Sequence, residues 1–475
     1  MAKTRIDELK SLINKEGIDF VDFKLIDMSG YWRHVTIHSS NFTEDVLSKG
    51  LGFDGSNYGY SSVQKSDLLL VPDLEAPVIV EDFAKAKRLS LCCDVYSIVD
   101  DKKERFFPSP RGTIKRAKNY LREKGIADRC QFSPEFEFYL FENFQFEYRN
   151  SSIALNISNN NLACGSDEEP TGTVSGPGAG YHAVPPSDKT ADLRDMIVGF
   201  LESQGISTKY HHHETGVKGQ AEVEVEFSDI VLASDLTMLI KYVIRNMAHE
   251  AGKSATFMPK PLPENPGNGM HLHQFLVEDG ENIFAGSEYG GLSKTALNYT
   301  GGLLKHGKSL MAFTNPSTNS YRRLVPGHEA PTDLVYSRGN RSAAIRIPGY
   351  LQGESKRRIE LRTMDGTCNP YLAYSAILMA GLDGIENEID PAAHNFGPID
   401  ENIYELSPEE RGKIKSTPDS LSDALLELEK DHGYLTKGDV FSEEQITNWI
   451  RTKREELMEF TDKPHPKEYE LYYDI

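Results

Sequence analysis

The chain is 475 residues long, with 39% hydrophobic and 26% charged residues and a formal net charge of −20. That composition belongs to a globular protein able to bury a large core in two domains. The acidic balance argues against a nucleic-acid partner and suits a protein that collects cations; no apolar run approaches the ~18 residues needed to span a bilayer.

No apolar core follows Met1-Ala2-Lys3-Thr4-Arg5-Ile6, so the start does not read as a signal peptide. Ile6, Leu9, Leu12 and Ile13 instead predict an amphipathic helix. Asp19 to Ile26 alternates, Asp27-Met28-Ser29-Gly30 supplies a turn, and Tyr31 to Ile37 returns as the second strand of a hairpin. Short strands continue to about Val99. The charged run Asp100 to Arg105, followed by Pro108-Ser109-Pro110, marks a boundary between a domain over 1–105 and a larger one over 106–475. The second domain opens with a helix through Thr113 to Ala117. Residues 143–180, rich in Asn, Ser and Gly, read as a long loop. Asn369 as N-cap and Pro370 at N1 start a helix from Tyr371 to Ile385, with its apolar stripe in the core. Cys92, Cys93, Cys130, Cys164 and Cys368 are odd in number and lack metal-ligand spacing, which reads as reduced thiols in a cytoplasm.

Residues two apart on a strand share a face. After His211-His212-His213-Glu214, the alternation Glu222 to Phe227 puts Glu222, Glu224 and Glu226 on one side and Val223, Val225 and Phe227 on the other. Like charges in a row repel one another and are costly to desolvate unless something positive sits among them. A solvated face is the plain alternative. Recurrence weakens it: Glu135 and Glu137 flank aromatics, His271 and His273 flank Leu272, and Glu360 and Arg362 flank Leu361. A sheet with a polar concave face and a packed back accounts for all four pairs. Glu135, Glu137, Glu214, Glu222 and Glu360, with His271, make a credible two-metal cluster. Oxygen-rich ligation selects Mg2+ or Mn2+ over Zn2+, and such ions neutralise charge in phosphoryl transfer. Downstream, Arg322, Arg323, Arg338, Arg341, Arg346, Arg357, Arg358 and Arg362 suit a phosphate or carboxylate clamp.

These residues carry a resemblance. Phe53-Asp54-Gly55-Ser56, Lys260-Pro261-Leu262, the run Asn315-Pro316-Ser317-Thr318-Asn319-Ser320-Tyr321-Arg322-Arg323, Asn340-Arg341-Ser342 and Arg357 to Arg362 resemble the bacterial type I glutamine synthetases, in particular the longer, adenylylated-type members. The match extends to the closing Pro464 to Tyr473. It implies an α+β fold: a small N-terminal β-grasp-like domain and a large catalytic domain with a curved antiparallel sheet flanked by helices. The implied reaction is ATP-dependent ligation of ammonia to the γ-carboxylate of glutamate through γ-glutamyl phosphate, with two or more Mg2+ or Mn2+ ions per site.

By the same resemblance, Glu137, Glu214 and Glu222 hold the first metal, and Glu135, His271 and Glu360 the second. Arg323, Arg362 and Gly267 bind glutamate. Arg341, Arg346 and Arg358 contact phosphate, with Arg341 also counted as catalytic, and nucleotide contacts fall near Phe227 and His273. Asp54 from a neighbouring subunit and Glu329 on a flap form the ammonium site. Only free NH3 has a lone pair, so one of these two carboxylates must take a proton before attack. His211, His212 and His213 look like a metal cluster but are not the family's ligands. The expected assembly is a homo-dodecamer of two hexameric rings with shared active sites. Tyr404 falls where adenylylated members carry their modified tyrosine, which implies an adenylyltransferase partner. The chain departs from the family pattern at Pro266, Phe275 and Asn57. Two other readings are a γ-glutamyl ligase acting on a polyamine or another amine, and a non-catalytic relative; retention of Asp54, Glu329 and the six metal ligands argues against both.

Overall fold

The hairpin near the start forms as its alternation predicts: Phe20–Ile26 runs antiparallel to Trp32–His38, with Phe20 opposite His38. The fold is given by a computed structural model that describes residues 2–472 except 61–65, 84, 150–151, 159–179, 217–218, 264, 326–329, 352, 402–405, 464, 466–467 and 469–470. The first helix, Ala2–Glu16, buries Leu9 and Ile13 against the hairpin's core. The long strand Arg88–Val99 is the spine of a seven-stranded sheet. It pairs with Phe20–Ile26, Asp67–Pro72, Val78–Glu81 and Lys102–Arg105. The charged run read as a boundary is therefore partly a strand. Asp100 and Asp101 adopt left-handed φ of 48° and 60°, the geometry of a tight hairpin turn, and the exposed charges of Lys102–Arg105 suit a sheet edge.

Helix Pro110–Glu123 leads into a second sheet of ten strands. Its main path runs Thr208–His213, Gln220–Val225, Arg129–Phe141, Leu272–Glu278, Ile359–Leu361, Ala343–Ile347, Asp333–Arg338. Most neighbours are antiparallel, but Asp333–Arg338 and Ala343–Ile347 pair in parallel. The sheet is thus antiparallel along most of its path, with this one parallel pair. Residues 143–180 are not simply a loop: Asn143–Arg149 and Ser152–Ser158 form a hairpin, Phe146 opposite Leu155. Its alternating Phe144, Phe146 and Tyr148 carried that signal.

Helix Pro370–Glu386 starts as expected, with the Asn369 side chain accepting from Tyr371 N–H. It is buried on every side from Pro370 to Gly384, not along one stripe. Helix Lys294–Lys305 packs backbone to backbone against it. A Cβ at Gly302 would lie 2.1 Å from Ala380 O, and one at Gly384 would lie 2.2 Å from Asn298 O. From these helices Tyr374 meets Phe132 edge-on and Tyr299 Oη–H donates to Gln274 on strands of the second sheet. No helix among the described residues is long and apolar enough to cross a membrane.

Candidate active site

Strand register brings the polar residues together. His212 lies opposite Glu222 and Glu222 opposite Glu137, so three adjacent strands carry one row. Tyr210, Glu224 and Glu135 form the next. Further along, His273 lies opposite Glu360, and Glu360 opposite Arg346. The alternate residues Phe136, Phe138, Val223, Leu272 and Leu361 belong to the core. Glu226 does not join the row, because the strand ends at Val225 and Glu226 is exposed.

The rows floor a cavity of about 960 Å³. All six expected metal ligands line it: Glu135, Glu137, Glu214, Glu222, His271 and Glu360. Gly267, Arg323, Arg341, Arg346 and Arg362 line it too. A Cβ at Gly267 would sit 2.5 Å from Pro259 O and 2.8 Å from Arg323 Cγ, so only glycine fits this approach. Phe227, His273 and Arg358 stand behind the lining. His273 is fully buried, with Nε2 2.7 Å from Glu135 Oε1. Arg358 Nε donates to His273 Nδ1 at 3.3 Å, and the Arg358 guanidinium lies 5.4 Å from the Phe227 ring. Phe275 meets that ring edge-on at 4.9 Å. Asp54 lies apart, exposed at the end of Leu51–Asp54 in the first sheet. Its carboxylate accepts from Ser56 N–H, Ser56 Oγ–H and Asn57 Nδ2–H, which together hold it below the usual range. Glu329 and Tyr404 lie outside the described residues.

The loop around Pro266 arranges the cavity wall. Gly269 N–H donates to Glu137 Oε2 at 2.7 Å. Pro266 O accepts from Tyr139 Oη–H at 2.8 Å. The nearest amide, Asn268, is fully buried; it accepts from Gln220 and donates to Met258 O. Gln220 also donates to Gly267 O and accepts from Gly216 N–H, so it ties three loops together. Sequence reading missed Gln220, although it adjoins Ala221-Glu222. Tyr181, His182 and Tyr350 also line the cavity, and no pattern in the sequence singles them out.

The charges divide unevenly. Glu360 is fully buried, and burial alone would raise its pKa, but Arg362 Nη1 and Arg346 Nη1, each at 2.6 Å, hold it at about 2. Burial likewise pushes Glu135 up, but His273 and His271 hold it well below the usual carboxylate range. Glu137 and Glu222 go the other way. Burial, with Glu214 close by, lifts Glu137 against the pull of His271. Burial plus Glu135, Glu137 and Glu214 lifts Glu222 well above the ordinary value. These two carboxylates face each other across adjacent strands.

Residues 17–98 match the family described as "Glutamine synthetase, beta-Grasp domain", and residues 108–472 match "Glutamine synthetase, catalytic domain". The chain belongs to the glutamine synthetase family. The glutamine synthetase of Aquifex aeolicus is 44% identical over 476 residues, all of both chains. The 3-hydroxylaminophenol mutase of Cupriavidus pinatubonensis is 42% identical, again over all of both chains. Among solved structures, the Plasmodium falciparum glutamine synthetase superposes with a TM-score of 0.87 at 27% identity, covering 98% of each chain. Glutamine synthetases use ATP and Mg2+ or Mn2+, and the residues here fit such ions. Ligand atoms of Glu135, His271 and Glu360 lie within 4.8 Å of one another, as do those of His212, Glu214 and Glu222. Glu137 stays raised despite His271 and Arg323, and Glu222 is raised by burial and three neighbouring carboxylates, so a divalent cation there would bring counter-charge. In a third group, Glu135, Glu224 and His273, Lys209 Nζ sits 2.5 Å from Glu224 Oε1, while Glu224 Oε2 is buried without a hydrogen-bond partner. Arg346 Nε is buried without a hydrogen-bond partner.

Proposed function

We propose that this cavity carries out the glutamine synthetase reaction with the residue roles implied above. The uneven charge carries the reading: carboxylates are packed together on one side and guanidinium groups face them. The chain is an ATP-dependent ligase that joins ammonia to the γ-carboxylate of glutamate. Glu137, Glu214 and Glu222 hold one divalent cation and Glu135, His271 and Glu360 another. Bound there, the cations neutralise phosphate oxygens during γ-phosphoryl transfer. His271 Nδ1 lies 2.9 Å from Glu135 Oε2, and an imidazole nitrogen serves as a ligand only when it carries no proton. Arg323 and Arg362, both buried, orient the glutamate carboxylates with Gly267. Arg341, Arg346 and Arg358 receive the transferring phosphoryl group and spread its charge, with Phe227 and His273 behind the nucleotide. The acyl phosphate so formed would be destroyed by water, and the resemblance gives the flap that carries Glu329 the role of excluding it.

Asp54 or Glu329 takes the proton from ammonium. Asp54 is exposed in the first domain, residues 1–105, away from the cavity of its own chain in the second, 106–475. That separation supports a site completed by a neighbouring subunit in a dodecamer of two hexameric rings. Mixing Asp54→Ala with Glu329→Ala subunits restores part of the activity; no recovery in mixed rings contradicts the shared site. The enzyme works in the cytoplasm, and Tyr404 is the adenylylation point for regulation; an unmodified Tyr404 peptide under both nitrogen-rich and nitrogen-poor growth contradicts the latter. ADP release from ATP and glutamate tests the main reading. It rises strongly with ammonium, and equal rates without it, together with activation by putrescine, point instead to an amine ligase.

A further inference from the structure

We infer that Asn340 is a positioning residue for Arg341: its side-chain amide clamps the turn that carries this arginine onto the segment 396–401, which lies along the edge strand Asp333–Arg338 of the second sheet. The inference rests on the role proposed above for Arg341 and adds the element that aims it.

Exposure sets Arg341 apart from the other guanidinium groups of the cavity wall. Arg323 and Arg362 are buried and Arg346 is half-buried. Arg323 Nη1 donates to Thr363 O at 2.9 Å, and Arg346 and Arg362 each bind Glu360. Arg341 is exposed, on the short link 339–342 between strands Asp333–Arg338 and Ala343–Ile347. A long exposed side chain has many rotamers open to it. The backbone beneath it must therefore fix where it starts.

Asn340 uses both ends of its amide. Oδ1 accepts from Ser342 N–H at 3.0 Å and from Ser342 Oγ–H at 2.7 Å, which closes a tight turn across Arg341. Nδ2 donates to Glu401 O at 3.1 Å, with Ile399 O at 3.4 Å. On the cavity side, Arg341 O accepts from Arg362 Nε at 3.0 Å. The turn is thus held from two sides, and Asn340 is the outer hold. Aspartate would keep the acceptor for Ser342 but has no donor for the two carbonyls.

The segment that Asn340 grips is itself anchored. Tyr336 N–H donates to Phe396 O at 3.0 Å, and Ile399 N–H donates to Tyr336 O at 3.1 Å. Asp400 Oδ1 accepts from Ser337 Oγ–H at 2.8 Å, from Arg338 N–H at 3.1 Å and from Tyr289 Oη–H. A bond between two loose loops would position nothing. This one joins the turn to a segment fixed to the sheet through both backbone and side chain. Misplacing a group that acts on the reacting atoms by about 1 Å can cost roughly 100-fold in rate, so a hold on the Arg341 turn bears directly on turnover.

The test measures glutamine formation by full-length Asn340→Ala, Arg341→Ala and the double variant, with the thermal midpoint of each as the control for folding. Asn340→Ala lowers kcat about tenfold and leaves the KM for ammonium unchanged. On the Arg341→Ala background the same change costs less than about twofold, because the side chain it aims is gone. A loss as large on that background as in wild type marks a general structural defect and overturns the inference. Wild-type kcat in Arg341→Ala contradicts the role proposed for that arginine, and the inference falls with it. Wild-type kcat in Asn340→Ala, with Arg341→Ala impaired, overturns the inference alone. Two further variants probe the anchor. Asn340→Asp sets an oxygen against the carbonyls of Ile399 and Glu401 and stays impaired; wild-type kcat there shows that the segment is no anchor and overturns the inference. Asp400→Ala loosens the segment and lowers kcat severalfold, with no further loss when added to Asn340→Ala; a full additional loss overturns the inference as well.

Discussion

Two clusters of buried carboxylates in this molecule have opposite characters. In one, Arg111 binds Asp235 through Nε at 2.9 Å and Nη2 at 2.8 Å, and reaches Asp73 at 2.8 Å and Asp94 at 2.5 Å through Nη1. Lys115 bonds the same Asp73 and Asp94, and Tyr371 donates to Asp235 at 2.7 Å. Every negative charge there has a protein cation, and the cluster joins the first sheet to helices Pro110–Glu123 and Ile230–Glu250. In the cavity, Glu360 and Glu135 are compensated in the same way, but Glu137 and Glu222 press against each other. A buried charge matched from within holds the fold together. One left unmatched is a place for something the chain does not carry.

The largest expected effect separates these two roles. Glu222→Gln lowers glutamine formation by at least about 100-fold, yet leaves the thermal midpoint of the metal-free protein unchanged or higher, because it relieves like-charge repulsion. A clear drop in that midpoint breaks the comparison. Arg111→Met acts in the opposite sense. It leaves Asp235 and Asp94 buried without their guanidinium and costs about 3–5 kcal/mol of stability by denaturant titration, while folded protein keeps its Mn2+ affinity. Lost Mn2+ affinity with unchanged stability contradicts the assignment.

Acid sharpens the contrast. Burial raises the pKa of Asp73, but Arg111 and Lys115 depress it well below the ordinary carboxylate value. The folded pKa is below the unfolded one, near 3.9, so the stabilisation is full above the unfolded value and is lost as pH falls through the folded one. Asp73→Asn therefore costs stability at pH 7 and progressively less below about pH 4; a constant difference across that range contradicts it. The smallest effect lies outside both clusters. Asn57 Nδ2 donates to exposed Asp54 Oδ2 at 2.9 Å, a bond worth about 1 kcal/mol. Asn57→Ala raises the ammonium KM roughly fivefold with no change in the KM for ATP; equal change in both counts against a role at ammonium alone.

Much of this was legible in the sequence, for reasons that differ by residue. Glu135/Glu137, Glu222/Glu224 and His271/His273 announced a polar face because period-two alternation survives without tertiary context. The hairpin at residues 20–38 and the Asn369 cap were readable for the same local reason. Pairing was not. That His212 stands opposite Glu222 depends on which strands become neighbours, so three consecutive histidines gave no clue to which one joins the row of Glu222 and Glu137. The compensation of Glu360 by Arg346 arises across a strand pair, and Arg362 is adjacent only because both ends of Glu360-Leu361-Arg362 share a face. The turn at Asp100-Asp101 reads in sequence as part of a domain boundary because charge alone does not reveal left-handed backbone. Pro266 stood out only as a departure from the family pattern; its carbonyl accepts from Tyr139, and the nearby amide, Asn268, turns inward.

The central claim is that the cavity leaves negative charge for divalent cations to neutralise, and counting bound Mn2+ tests it most directly. Electron resonance titration of metal-free protein gives two Mn2+ per chain for wild type and for Arg111→Met, and one for Glu222→Gln. No tight Mn2+ in wild type, or an unchanged count in folded Glu222→Gln, contradicts the account.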